Sequence, residues 1–313
     1  CLSELCGRVG PMIHVEGLTK DYGQVRAVDD LTFSVQPGIV TGFLGPNGAG
    51  KSTTMRMIVG LDTPTAGTAT IDGRHYREFP RPLTQVGALL DAKAVHPNRS
   101  AANHLRWLAQ SNGIPVRRVE EVLGLVGLSG VAGKKAGGFS LGMGQRLGLA
   151  GALLGDPRVL VLDEPVNGLD PEGIRWVRGL LKALAAEGRT VLISSHLLSE
   201  MALTADRLVV IGRGRLVADT TTEEFIRQHS VQTVLVRASD TAGLAEHLRR
   251  VGLEVTTVNG HGLEVADSTT EQVGELAFTG GFQLRELTAR QASLEDAFMD
   301  STGGAVQYQA GKE

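Results

Sequence analysis

The sequence predicts an α/β fold built on a parallel sheet, followed by a small α+β domain. Three observations predict it. Short, almost wholly apolar runs, "IVTGFLG", "RVLVLDEP" and "TVLISSH", alternate with helical patterns, and strands apolar on both faces belong to a parallel sheet covered on both sides. A glycine-rich stretch, "GPNGAGKST", joins the first of these runs to a helix. Beyond about residue 222 the segments change to the split βαβ order of a ferredoxin-like unit.

Taken in order, "CLSELCGRVGP" precedes Met12 and reads as a disordered leader over residues 1–11. It lacks the basic start and apolar stretch of a signal peptide. Both cysteines of the chain, Cys1 and Cys6, lie in it. The rest has no disulfide framework, which suits a reducing cytoplasm, and two thiols alone do not complete a zinc site. Short strands follow to about residue 74: "IHVEGLT", "VRAVDDLTFSV", "IVTGFLG" and "TATIDG", separated by Gly and Pro as turn punctuation requires. "SAANHLRWLAQSNG", capped by Ser100, and "VRRVEEVLGLVGL" carry apolar residues at helical spacing. With the helix opened by "FSLGMGQR" they make a helical insert over about residues 92–155. "RVLVLDEP", the helix "DPEGIRWVRGLLKALAAEG", "TVLISSH", a helix near "LLSEMALTADR" and "LVVIGRGRLVADT" complete a first domain over residues 12–222. Residues 223–302 read β-α-β-β-α-β-α, an accessory domain without a catalytic constellation, expected to serve packing or dimerisation. Residues 303–313 read as a loose tail.

Composition narrows the function classes. Lys and Arg number 31 against 34 Asp and Glu, a formal charge of −3, so no basic field exists for gripping nucleic acid. Apolar residues make up 42% but never form the roughly 18-residue run of a membrane span. A membrane role therefore has to come through a partner.

The chemistry concentrates in four segments. Gly45, four residues, then Gly50, Lys51 and Ser52 form a P-loop between a strand and a helix. The loop of Gly45, Pro46, Asn47, Gly48, Ala49 and Gly50 cradles phosphates through its backbone N–H groups, with Pro46, which has none, fixing the turn; Lys51 reaches the β and γ groups, Ser52 binds Mg²⁺, and Thr53 adds a hydroxyl at the α-phosphate. "VLVLDEP" places Asp163 and Glu164 at the exit of a buried strand, where carboxylates are costly unless they meet a cation or a proton. Asp163 suits Mg²⁺ through water and Glu164 suits a general base. His196 ends the next strand on the same carboxyl edge, where ligands of open α/β sheets collect, as a candidate γ-phosphate contact. "FSLGMGQR" opens a helix with Ser140 as N-cap and Gly142 and Gly144 admitting a ligand to the backbone. The chain thus carries a second anion-facing helix start besides its P-loop.

Residues 12–222 together resemble the ATP-binding subunit of ATP-binding cassette (ABC) transporters. "GPNGAGKST" matches the Walker A segment, "VLVLDEP" the Walker B, "NGLDP" the D-loop with Asp170, His196 the switch histidine, and "FSLGMGQR" the signature, with Leu141 and Met143 in place of the usual Gly and Gln. Tyr22 sits where the family stacks an aromatic ring on adenine. The resemblance implies a P-loop NTPase core with an N-terminal antiparallel β subdomain and a helical insert. It implies ATP and Mg²⁺ as ligands and hydrolysis of ATP to ADP and phosphate. It further implies a head-to-tail dimer in which one subunit's signature, through Ser140 and Gly142, closes over the ATP held by the other. Separately encoded permease subunits are implied as partners, with a coupling helix received near residues 91–103 and the cassette on the cytoplasmic face of the membrane. Asp91 aligns with a glutamine that in the family touches Mg²⁺ and senses the permease, and a carboxylate also meets Mg²⁺. That acid, the signature wording and the C-terminal βαββαβ unit look like single-cassette drug and antibiotic exporters of the daunorubicin or bacitracin type. A soluble non-transport ABC ATPase would need coiled coils or tandem cassettes, and a P-loop kinase would need no signature segment. Import, or export of lipid or polysaccharide, stays open on the cassette alone.

Overall fold

The computed structural model describes residues 12–92, 94–196, 198–229, 233–258 and 262–290, with residues 294 and 298. Burial alternates along the first two strands, so their sheet has one covered face. β1 (Ile13–Tyr22) buries Ile13, Val15 and Leu18, and β2 (Val25–Val35) buries Val28, Leu31, Phe33 and Val35. They pair antiparallel. After β3 (Val40–Leu44) and α1 (Lys51–Ile58), β4 (Ala66–Ile71) joins the other side of β1, also antiparallel, giving the order β2-β1-β4. This is the N-terminal antiparallel subdomain that the resemblance implies.

The central sheet takes its strands from runs buried on both faces. β5 (Val86–Leu89) is followed by α2 (Ala101–Ser111), α3 (Arg117–Leu125) and α4 (Leu141–Leu153). β6 (Val159–Leu162), α5 (Pro171–Ala186), β7 (Thr190–Ser194), α6 (Leu198–Thr204), β8 (Arg207–Gly212) and β9 (Arg215–Thr221) complete it. The order is β5-β6-β7-β3-β8-β9, parallel except for β9. Every residue of β3, β6 and β7 is buried, which is why these segments read as continuous apolar runs.

Two elements differ from the sequence expectation. β5 is only four residues long, too short for periodicity to register, and its pairing with β6 makes it a strand. "LVVIGRGRLVADT" is a hairpin rather than one segment. Arg213 and Gly214 both have positive φ, 50° and 80°, as a two-residue hairpin turn requires. β9 therefore returns antiparallel along the edge.

The three helices after β5 are placed by caps and small residues. Ser100 Oγ accepts the Asn103 N–H at 3.3 Å and starts α2. α4 lies so close to β5 that a Cβ on Gly87 would stand 2.0 Å from the Ala152 carbonyl oxygen. Only glycine permits that approach.

Residues 223–301 form a second compact unit. After α7 (Thr222–His229), which the sequence reading missed, come β10 (Thr233–Ala238), α8 (Thr241–Arg250), β11 (Val255–Val258), β12 (Gly262–Ala266), α9 (Thr270–Thr279) and β13 (Leu284–Arg290). The antiparallel order β11-β12-β10-β13 is ferredoxin-like. Val234, Val236 and Val265 on the sheet pack with Leu244, Leu248 and Val273 of the two helices. The expected last helix over "ASLEDAFMDS" falls outside the described residues except for buried Leu294 and Phe298. The expected leader, residues 1–11, and tail, residues 303–313, lie outside them too.

Each unit has its own apolar core: one cluster runs from Ile13 to Ile211, the other from Val234 to Ala277. A chain ending after residue 222 is therefore expected to fold and to retain ATP affinity within about threefold, since units with separate cores fold separately. Equilibrium binding of a fluorescent ATP analogue checks this. A soluble truncation without affinity would place part of the nucleotide site beyond residue 222.

Candidate nucleotide site

Parallel pairing aligns the ends of three neighbouring strands. Phe43 of β3 lies opposite Ser194 of β7, and Ile193 of β7 opposite Leu162 of β6. The loop after β3, the Asp163-Glu164 pair after β6 and His196 after β7 therefore emerge side by side at the carboxyl edge, where such sheets collect ligands.

The loop from Gly45 to Gly50 turns directly into α1. Gly50 has φ 102°, and a Cβ there would sit 2.5 Å from the Ala27 carbonyl oxygen, so glycine is required both by conformation and by space. α1 has no side-chain cap, and its first N–H groups are left for a ligand. Lys51, 8% exposed, folds back so that Nζ donates to the carbonyls of Gly45 at 2.5 Å and Pro46 at 3.2 Å. Burial lowers its pKa, and the nearby charges of Glu164 and Asp163 oppose that shift. Another anion beside Nζ would act in the same direction as those carboxylates.

Ser52 Oγ donates to Asp163 Oδ2 at 2.6 Å, and Ser194 Oγ donates to the other oxygen, Asp163 Oδ1. The Glu164 carboxylate meets His196 Nδ1 at 2.6 Å. Its backbone has φ 51°, uncommon for a residue with a Cβ. Ser52, Asp163 and Glu164 border a cleft of about 310 Å³ lined also by Asn47, Gly48, Lys51 and Thr53, and His196 joins it only through its bond to Glu164. The structure thus brings together the P-loop, both carboxylates and His196.

Other expected residues lie elsewhere. Tyr22, at the end of β1, is 48% exposed and does not line the cleft. Its hydroxyl donates to Asp62 Oδ2 at 2.9 Å, and Arg56 Nε at 2.8 Å holds the same carboxylate. Asp91 is exposed, two residues beyond the end of β5, and is absent from the cleft lining. Since Leu89 pairs with Leu162, Asp91 emerges at the same sheet edge as Glu164. Ser140 Oγ accepts the Met143 N–H at 3.3 Å and caps α4. It borders a separate cavity of about 570 Å³, with Ala92, Val95, Pro97, Phe139 and Leu147. Gly142 packs on the D-loop, where a Cβ would stand 2.9 Å from the Gly168 carbonyl oxygen. Asp170 caps α5 by accepting the Gly173 N–H at 2.9 Å.

Sequence reasoning missed Ser194 and Gln145. Ser194 is a hydroxyl at the end of a buried strand, directly after the apolar Val191, Leu192 and Ile193, and that polarity was the available signal. Gln145, also buried, donates from Nε2 to the Glu164 carbonyl oxygen at 2.7 Å. Its signal was an amide on a helix that continues, after Arg146, as "LGLAGAL".

A phosphate-cradling loop at the head of a helix, with an acid pair at the end of a nearby parallel strand, defines a P-loop NTPase. Comparison with known proteins carries this further. The family model described as ABC transporter matches residues 28–167, and one described as a domain of unknown function matches residues 232–295. The chain is 37% identical over 296 residues to the uncharacterized ABC transporter ATP-binding protein YhcH of Bacillus subtilis (strain 168), covering 93% of this chain and 96% of that protein. It is 35% identical over 301 residues to the bacitracin transport ATP-binding protein BcrA of Bacillus licheniformis, covering 94% of this chain and 98% of that one. A solved ATP-binding subunit of an ABC transporter superposes with a TM-score of 0.64 at 29% identity, over 69% of this chain and 92% of that chain. The chain belongs to the ABC transporter family and is its ATP-binding, ATP-hydrolysing component. Among the described residues no helix is long and apolar enough to cross a membrane.

Proposed function

We propose that residues 12–222 are a nucleotide-binding domain that powers an exporter of antibiotics or similar amphipathic compounds, and that residues 223–302 are an accessory domain. The observation that carries the hydrolytic part is the convergence of Lys51, Ser52, Asp163, Glu164 and His196 on one sheet edge. The likeness to BcrA over 98% of that protein supports export of this substrate class. The P-loop N–H groups and Lys51 hold the phosphates of ATP. Tyr22, kept in place by Asp62, offers its exposed ring to adenine. The pairing of Ser52 Oγ with Asp163 Oδ2 is an all-oxygen donor set that fits Mg²⁺, which takes few protein ligands and completes its shell with water and phosphate. When bound there, Mg²⁺ neutralises charge on the phosphates. Glu164 takes a proton from the attacking water, and His196, bonded to Glu164 through Nδ1, keeps its other ring nitrogen for the γ-phosphate.

The signature acts in trans in this reading, because Ser140 borders a different cavity of its own chain from the P-loop. Two copies close head to tail on ATP, and hydrolysis reopens them. The cavity beside Ala92, Val95 and Pro97 adjoins Asp91 and suits a coupling helix of a separately encoded permease, with the cassette on the cytoplasmic face of the membrane.

Purification of the assembly in detergent tests this function. A membrane-spanning protein is expected to copurify and to stimulate ATP hydrolysis severalfold when its peptide antibiotic is added. Asp91→Ala is expected to remove most of that stimulation while changing ATP affinity less than about threefold, as a residue coupling two sites should. Recovery of the chain without any membrane partner would overturn the transport reading. Unchanged stimulation in Asp91→Ala would leave Asp91 an ordinary loop acid.

A further inference from the structure

Gln145 stands inside α4, one and a half turns beyond the Ser140 cap, and is 5% exposed. An amide buried there is costly unless it is hydrogen-bonded. Its Nε2 finds the carbonyl oxygen of Glu164 at 2.7 Å, the same oxygen that accepts the Asn167 N–H at 3.1 Å within the turn after β6. At the other end of the residue, the Glu164 N–H donates to Ser194 Oγ at 3.0 Å. Both main-chain polar groups of Glu164 are therefore held by side chains from other elements, β7 and α4. Left-handed backbone at a residue with a Cβ persists where its surroundings over-determine it, and here φ is 51°. In that conformation the carboxylate reaches His196 Nδ1. The hold is stiff on the α4 side, because Gly87 and Gly148 let the helix lie directly on β5 and its Leu89 side chain.

We propose that Gln145 is a positioning residue for hydrolysis. Its side-chain amide links the signature helix to the main chain of Glu164 in the same subunit, and so ties the helix end that faces one ATP to the carboxylate that acts on the other. This rests on the reading of Glu164 as general base given above.

Gln145→Met tests it, since methionine keeps length, bulk and helix propensity and lacks the amide, and with it the donor to Glu164. In the full-length dimer kcat is expected to fall about tenfold, with KM for ATP within about twofold of the parent and thermal stability little changed. A purely structural role would instead lower the melting temperature and leave kcat per folded molecule as it was. Gln145→Glu presents a carboxylate to a carbonyl oxygen and is expected to lose kcat at least as severely. It is read in the same way should the methionine variant not fold. Parental kcat in the folded variant overturns the proposal. Glu164→Gln, assayed alongside, separates the two levels of the argument. If it is inactive while Gln145→Met is fully active, only the role of Gln145 falls. If it hydrolyses ATP at the parental rate, the reading of Glu164 falls first.

Discussion

Glu164→Gln is expected to bind ATP with parental affinity and to lose turnover by roughly 10²- to 10⁴-fold, the range a positioned general base contributes. The amide keeps the size of the carboxylate but does not accept the proton of the attacking water at neutral pH. Lys51, Ser52 and Asp163, which face the phosphates and Mg²⁺ in the proposed mechanism, stay as they are, so binding and hydrolysis separate. Dimers of this variant are expected to stay closed on ATP. Phosphate release measured beside nucleotide retention on gel filtration reads both effects. Hydrolysis within a few-fold of the parent would remove Glu164 from the mechanism.

Lys51→Ala is expected to weaken ATP binding roughly a hundredfold, the effect of losing about two charge-assisted contacts to phosphate. Its ammonium already points at the loop, with the carbonyls of Gly45 and Pro46 as partners. Truncation leaves these carbonyls without that donor, so the empty protein should also lose about 1–2 kcal/mol of stability. Calorimetric titration with ATP and thermal unfolding of the empty protein measure the two losses. Affinity within threefold of the parent would show that Lys51 does not meet the phosphates.

The parts of the site legible in the sequence are those compressed into one segment. "GPNGAGKST" holds the whole phosphate loop within nine residues, and "VLVLDEP" carries its two acids at the end of an apolar run, so local spacing already states their geometry. Other parts depend on pairs far apart in the chain. Ser194 meets Asp163 across 31 residues, Tyr22 meets Asp62 across 40, and Gln145 meets Glu164 across 19. No periodicity encodes such a distance, and packing of the elements alone creates it. The fold follows the same division. Fully buried β3, β6 and β7 announced a parallel sheet by composition, and the βαββαβ order announced the second unit. β5 escaped notice because four residues carry no period, and the β8–β9 hairpin because its turn, Arg213–Gly214, lacks the Asn-Gly or Asp-Gly signal of such turns.

The central claim is that FSLGMGQR serves the nucleotide held by the other copy, and a mixed dimer tests it most directly. Lys51→Ala disables the P-loop side of a site. Ser140→Arg disables the signature side by bulk and by removing the hydroxyl that caps α4. In a dimer with one change on each chain, trans action gathers both lesions into one site and leaves the other intact. In a dimer with both changes on one chain, trans action damages both sites. Cis action reverses these outcomes. Trapped nucleotide, rather than turnover, is the quantity to count, because one intact site coupled to a damaged one need not cycle. The account predicts one ATP retained per dimer with one change on each chain and none with both changes on a single chain, and the opposite pattern would contradict it.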